Sequence, residues 1–365
     1  MGMHEGLMAL GASTKEVRRL LVSEVVDKSD ARGKTLPIQQ QLAKQSFNDA
    51  LRDGLMHEIE VGCPVCGEQS FEDFCGIDRI GLKVQSVMCA RCPTLYSRKR
   101  FDERSLAVFY SRFYREMYTG SSVPTAGWFE EQVLSGRKIF SQLKDVGAIS
   151  HDLVGKHILE VGCGSGGILI PFTEIGAEVV GIDFDDTYME AGRKRGLNLI
   201  DQSIYEFQTD KEFDLIILKD VLEHLPDLNL VIQKLKSLLS GTGVIYIQVP
   251  TFEGLEFLGY KNDFLRFFQN AHIVHFSEAS LNYIFSKNGL TAKYSDINGL
   301  AVFEHAVEAT KVYFDFETER NRSLERIVNI LNRRRKVVIK ERIWKLLPKP
   351  LIKLYHSVQK LGARR

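Results

Sequence analysis

Residues 158–167 read ILEVGCGSGG, a short apolar run that closes on a carboxylate and then on a glycine-dense turn. A strand ending this way brings its backbone close to a ligand, because glycine alone tolerates that contact and the dihedrals it requires. Two ligand classes compete. Gly162, Gly164 and Gly167 satisfy the dinucleotide fingerprint, and Asp183 follows at about the distance of a ribose-binding acid. Glu160, just ahead of the first glycine, argues the other way. Its carboxylate would repel a pyrophosphate seated on a helix N-terminus, yet it suits a ligand carrying an ammonium and a sulfonium.

The segments that follow extend the pattern. VVGIDFDD (179–186) is a second buried strand ending in an acid, and LIDQS (199–203) is a third. FDLIILKDVLEHLPD (213–227) runs from a fourth strand into a helix, and GTGVIYIQVP (241–250) is a fifth strand after a glycine turn. In order and spacing these resemble the successive motifs of the class I S-adenosylmethionine-dependent methyltransferases, over residues 155–307. The resemblance implies an α/β fold with a Rossmann-like seven-stranded sheet and S-adenosylmethionine as methyl donor. It also implies roles. Gly162, Gly164 and Gly166 would pass under the methionine portion, with Glu160 opposite its ammonium. Asp183 would accept from the ribose hydroxyls. Asp201 would accept from the adenine amine, with Phe184, Ile182 and Ile204 as walls. Lys219 and Asp220 would close the pocket mouth. The competing reading of any one of these acids is a helix cap, which suits Asp185 or Asp186 best.

Four of the six cysteines form two knuckles, Cys63-Pro-Val-Cys66-Gly67 and Cys89-Ala-Arg-Cys92, with 22 residues between the pairs. Four thiolates in this pattern suit a tetrahedral structural zinc, with a redox pair as the rival. A closed four-sulfur site leaves no position for substrate, so the metal would fold a zinc-ribbon-like subdomain over residues 60–101. Such a unit ahead of a methyltransferase domain is similar to bacterial methyltransferases of cell-surface polysaccharide pathways and to the sugar C-methyltransferases.

The acceptor side offers three histidines, His224 in DVLEHLP and His272 and His275 in NAHIVHFSEASL. Transfer to oxygen or carbon needs a base where the acceptor must lose a proton. His272 or His275 is the candidate base, and His224 reads as a cap, a packing group or a catalyst. The sugar C-methyltransferases carry a histidine-rich segment here, matched at His272, Phe276 and Ser277. Asn270 and Ala271 stand where that subfamily has a further histidine and an acid, which favours O-methylation. The aromatic, glycine-containing stretch 251–270 reads as an acceptor lid or as packing.

Composition bounds the remainder. The chain has 365 residues, 44% hydrophobic and 26% charged, room for two domains or one with appendages. We expect a helical N-terminal arm (1–59), the cysteine unit (60–101), a helical connector (102–150), the methyltransferase domain (151–310) and a basic helical extension (311–365). Within these, helices are expected over 15–26, 38–55, 101–118, 126–146 and 277–288, with final strands over 291–297 and 300–307. Paired CxxC knuckles, no signal peptide and no long apolar run point to a cytoplasmic location. From 333 to 365 the chain carries 12 Lys or Arg against one acid, Glu341, a balance of +11 that leaves −10 elsewhere (1 − 11). With Trp344 and several leucines, this tail reads as an interfacial contact with an anionic inner membrane face or as a docked terminal helix.

The expected activity is therefore methyl transfer to a saccharide, as a small molecule or lipid-linked, in surface-glycan assembly. Rivals are an RNA methyltransferase using the cysteine unit and tail, an enzyme acting on another small molecule such as a quinone precursor, and a non-catalytic binding module. Lys219-Asp220-Val221-Leu222 lacks the Asn/Asp-Pro-Pro-aromatic motif of base amino-methylation, which disfavours nucleic acid.

Overall fold

The computed structural model describes residues 34–121, 123–124, 127–149, 153–307 and 314–346. The helix expected over 15–26 and the end of the basic tail, with Pro348 and Pro350, lie outside the described residues. Where the chain carries its motifs it builds a seven-stranded sheet. The strands are β6 (His157–Val161), β7 (Glu178–Asp183), β8 (Leu199–Asp201), β9 (Phe213–Lys219), β10 (Leu239–Gln248), β12 (Leu290–Ser295) and β13 (Leu300–His305), in the order β12-β13-β10-β9-β6-β7-β8. All neighbours from β8 through β10 are parallel, and β13 alone runs against its partners. This is the seven-stranded arrangement implied by the resemblance.

Parallel strands must bury both faces, and these do. Leu159, Val161, Ile216, Leu218, Ile245 and Ile247 face one layer, which includes the helices Leu228–Leu238 and Glu278–Lys287. Ile158, Leu215, Ile217, Val244 and Tyr246 face the other, which includes the helix Trp128–Asp145. That helix was expected to be a connector; it packs directly on the sheet, its Gly136 against the backbone of Ile168. Ser277 caps the helix Glu278–Lys287 in a reciprocal capping box with Ser280, and Asn288 ends it.

The order of strands reverses between β6 and β9, so a crevice opens beyond their carboxyl ends. Glu160 and the glycine turn leave β6 there, and Lys219 ends β9.

The cysteine unit is not a separate module. Its strands β2 (Phe71–Ile77), β3 (Lys83–Cys89) and β4 (Leu95–Ser97) form an antiparallel sheet whose fourth member, β11 (Val274–His275), comes from the acceptor segment. Two shorter strands, β1 (Glu58–Glu60) and β5 (Lys99–Phe101), pair beside it. The stretch 251–270 is packing: Phe252, Leu255, Phe264, Phe267 and Phe268 are buried with Phe74, Leu95 and Leu324 between this sheet and the helix Phe316–Leu346. Aromatic side chains this apolar gain more from mutual burial than from covering a wet crevice.

Candidate active site

The glycine turn is locked by its surroundings. Gly162, Gly164 and Gly166 have φ of 71°, 53° and 74°, a left-handed conformation costly for other residues. A Cβ on Gly162 would lie 2.5 Å from Val221 Cγ2, so the turn also has no room for one. Gln132, absent from the sequence reading, clamps it: Oε1 accepts from Ser165 Oγ at 2.5 Å and Gly167 N at 3.1 Å, while Nε2 donates to Cys163 O at 3.2 Å. Nothing in a lone Gln on an amphipathic helix signals such a task.

Asp183 is buried at the end of β7 and ties the turn to the next loop. Oδ2 accepts from Gly164 N at 2.8 Å, and Oδ1 from Phe184 N and Asp185 N at 2.8 and 2.9 Å. Burial raises its pKa, and the three amides oppose that. Glu160 is buried too, and its Oε2 has no hydrogen-bond partner among the described residues. Burial, then the nearby Asp183 charge, pushes its carboxyl well above the usual range. An uncompensated buried carboxyl beside a glycine cradle is the environment a cationic ligand complements. Trp128 Nε1, close to the turn, is a second buried group without a hydrogen-bond partner among the described residues. The residues present therefore fit a ligand with an ammonium, a sulfonium and donor hydroxyls.

The other expected donor residues spread outward. Phe184 is 59% exposed, with its ring 5.6 Å from Tyr110. Asp201 is in register with Asp183 and faces solvent. Lys219 pairs with Asp220, which adopts a left-handed φ of 56° at the head of the next turn. Asp185 is the helix cap, accepting from Tyr188 N.

The acceptor side is built on the short turn Leu222–His224. Leu222 packs inward. Glu223, which the sequence reading passed over, is wholly buried, and neither of its oxygens has a hydrogen-bond partner among the described residues. His272 Nε2 lies 3.7 Å and His224 Nε2 4.0 Å from Glu223 Oε1, and the two imidazoles meet edge to face at 4.7 Å. His224 Nδ1 is 3.0 Å from Ala271 O and 2.9 Å from Tyr110 Oη. Burial lowers the His224 pKa to about 4, and lowers His272 well below its usual value. Both imidazoles are thus neutral near pH 7.

His275 lies behind His272, their ring centroids 5.8 Å apart. It sits on β11 between Phe267 and Phe268, each ring 4.9 Å away, with neither nitrogen partnered among the described residues. Burial pushes its pKa down to about 3. The aromatics Phe109, Tyr110, Phe113, Tyr114 and Tyr118, spaced by three and four along 101–118, divide between two neighbourhoods. Phe109 and Phe113 pack against Phe47, whereas Tyr110 and Tyr114 turn toward His224. The cause is a π-helical turn, Tyr110–Tyr114, that rotates the face midway.

The four knuckle cysteines converge. Their sulfurs lie within 4.8 Å of one another, with Cys63–Cys92 and Cys66–Cys89 each at 3.5 Å. A tetrahedral zinc with ~2.3 Å bonds holds its sulfurs roughly 3.8 Å apart, so the four fit that ion. The amides of Arg91 and Cys92 point at Cys89 Sγ from 3.4 Å, the second shell such a thiolate requires. The knuckle also supports the acceptor segment: Ser277 Oγ donates to Pro93 O at 2.7 Å, and Ser97 N to Ile273 O at 3.0 Å.

Comparison with known proteins agrees with this geometry. Residues 134–294 match the family model described as a methyltransferase domain. The chain is 36% identical over 114 residues to the ubiquinone biosynthesis O-methyltransferase of Pasteurella multocida (strain Pm70), covering 27% of this chain and 47% of that protein. It is 28% identical over 101 residues to the protein of the same name from Rhodopseudomonas palustris (strain TIE-1), covering 26% and 40%. The chain thus spans less than half the length of these curated relatives. Among solved structures it resembles the magnesium protoporphyrin IX methyltransferase of Synechocystis PCC 6803 with bound SAH, at 18% identity and a TM-score of 0.38, covering 55% of this chain and 98% of that one.

Proposed function

From a chain that carries a methyltransferase domain, we propose S-adenosylmethionine-dependent methyl transfer to a hydroxyl of a saccharide in cell-surface glycan assembly. The observation that carries the donor half is buried Glu160 at the strand reversal, its Oε2 without a hydrogen-bond partner among the described residues, beside a left-handed glycine turn. When bound there, the donor supplies an electrophilic methyl on a sulfonium. Glu160 faces the donor's ammonium, Asp183 takes a ribose hydroxyl on the one Oδ2 lone pair its three amides leave free, and Asp201 with Phe184 borders the adenine. Lys219 stands at the mouth. Methyl transfer forms an O–CH3 bond and breaks the S–CH3 bond, leaving a thioether; the acceptor's proton leaves to the Glu223, His224 and His272 cluster. Tyr110, in contact with both Phe184 and His224, joins the two halves. His275 is a positioning residue behind His272.

The saccharide rests on the four-cysteine unit ahead of the methyltransferase domain, with zinc as its structural ion. A second reading, a phenolic hydroxyl of a quinone precursor, draws on the printed names of the curated relatives. The basic segment 333–365 fits either, since it would bring the chain to an anionic inner membrane surface where a lipid-borne acceptor lies. No helix among the described residues is long and apolar enough to cross a membrane.

Titration calorimetry with S-adenosylmethionine tests the donor half; no saturable binding would end the reading. Mass spectrometry of surface glycans and of quinone precursors from a deletion strain separates the acceptors. Loss of one methyl group from a glycan supports the saccharide, and accumulation of an unmethylated phenol replaces it.

A further inference from the structure

We propose that Glu223, His224 and His272 form a site for a divalent first-row transition ion, separate from the four-cysteine cluster and adjoining the acceptor. The inference deepens the methyl-transfer reading and rests on it for its role. One ligand atom from each residue lies within 4.8 Å of the others. An ion bound at ~2.1 Å keeps adjacent ligand atoms roughly 3–4 Å apart, so the cluster needs only a small inward shift.

Two independent features point to a ligand. Glu223 is entirely buried with both oxygens unpartnered among the described residues, a state costly for a carboxylate unless a cation or a proton compensates it. His224 Nδ1 faces the carbonyl of Ala271 at 3.0 Å, which places the ring proton on Nδ1 and leaves the Nε2 lone pair directed at the cluster. A backbone carbonyl fixing the tautomer in this way is the usual second shell of a metal-bound imidazole. Gln269 abuts His272 Nε2, and its unpartnered side-chain oxygen offers a further donor.

One carboxylate and two imidazoles suit manganese, iron, cobalt or zinc and leave coordination positions open. The four thiolates form a closed, softer site. An open coordination position would receive the acceptor's hydroxyl oxygen, and the ion would lower that hydroxyl's pKa so that its proton passes to the Glu223 oxygen left unligated before the methyl arrives. The competing arrangement is a proton shared between Glu223 and His272, with no ion.

Mn(II) separates the two, because a hard ion avoids the thiolate site. The full chain, with its cysteine site loaded with zinc, is titrated with Mn(II) and free ion is read by electron paramagnetic resonance. About one saturable Mn(II) per chain is expected, weakened at least tenfold in Glu223→Gln and in His272→Ala. The near-isosteric Glu223→Gln change guards against loss of fold, and S-adenosylmethionine titration of each variant reports whether the donor half persists. Absence of saturable Mn(II) binding in the unaltered chain, or binding in both variants as tight as in the unaltered chain, overturns the ion site. Donor binding without Mn(II) binding removes the ion site alone. Mn(II) binding without donor binding keeps the ion site and removes the methyl-transfer reading.

Discussion

Glu160 is the residue whose environment and task are most at odds, since it is a buried acid whose Oε2 has no hydrogen-bond partner among the described residues. Burial holds it protonated above the ordinary carboxylate range. A bound ammonium favours the ionised form, so donor binding should expel a proton and tighten as pH rises. Calorimetry in buffers of different ionisation enthalpy should show that release in the native chain and lose it in Glu160→Gln. The same variant should bind the donor about 10–100-fold more weakly, as expected when a charge-assisted contact is removed. The stability consequence has a definite sign. A carboxyl raised in the folded state binds its proton more tightly there than in the unfolded chain. Its stabilising contribution is complete below about pH 4.5 and is lost as pH rises through the folded value. Donor-free Glu160→Gln should therefore lose less stability than the native chain across that window, read as Tm against pH. Asp183 differs because it already holds three amides. Asp183→Asn should disturb the turn as well as the ribose contact, costing donor affinity at least tenfold.

At the scale of elements, the cysteine knuckle and the acceptor segment are one assembly. β4 pairs with β11, and Pro93 receives the cap of the helix that follows. Opening the four-sulfur cluster should loosen His272 while leaving the far side of the large sheet intact. Cys92→Ser, or chelation of the metal, is expected to reduce methyl transfer at least tenfold, by analogy with lost second-shell support, yet leave donor affinity within a few-fold. Turnover and donor calorimetry on one preparation check this; equal losses in both would show that the knuckle supports the whole fold. The π-helical turn at Tyr110–Tyr114 belongs to the same scale. Spacing of three and four places Phe109, Tyr110, Phe113, Tyr114 and Tyr118 on one stripe of an ideal helix, and the wider turn moves the tyrosines off it. Periodicity alone could not anticipate that shift.

For the whole molecule, the aromatic cluster of 251–270 joins the antiparallel four-stranded sheet to the helix Phe316–Leu346. Phe268 is buried against Phe74, Phe264, Phe267 and His275. Phe268→Ala should cost ~3–5 kcal/mol of stability, measured by chemical denaturation. The donor crevice was legible in the sequence because its elements are contiguous: an apolar strand, an acid, then glycines, in a fixed order. Each piece carries its own physical reason, whether burial of a parallel strand or a left-handed turn that only glycine accepts cheaply. The two knuckles were legible for the same reason, as thiolate spacing is local chemistry. The company that Glu223 keeps was not, since His272 and Tyr110 reach it from distant parts of the chain. Nor was the fusion of β11 to the cysteine unit, nor the enclosure of His275 between Phe267 and Phe268. Those outcomes depend on which surfaces pack against which, and packing sums many contacts between remote residues that no single stretch of chain encodes.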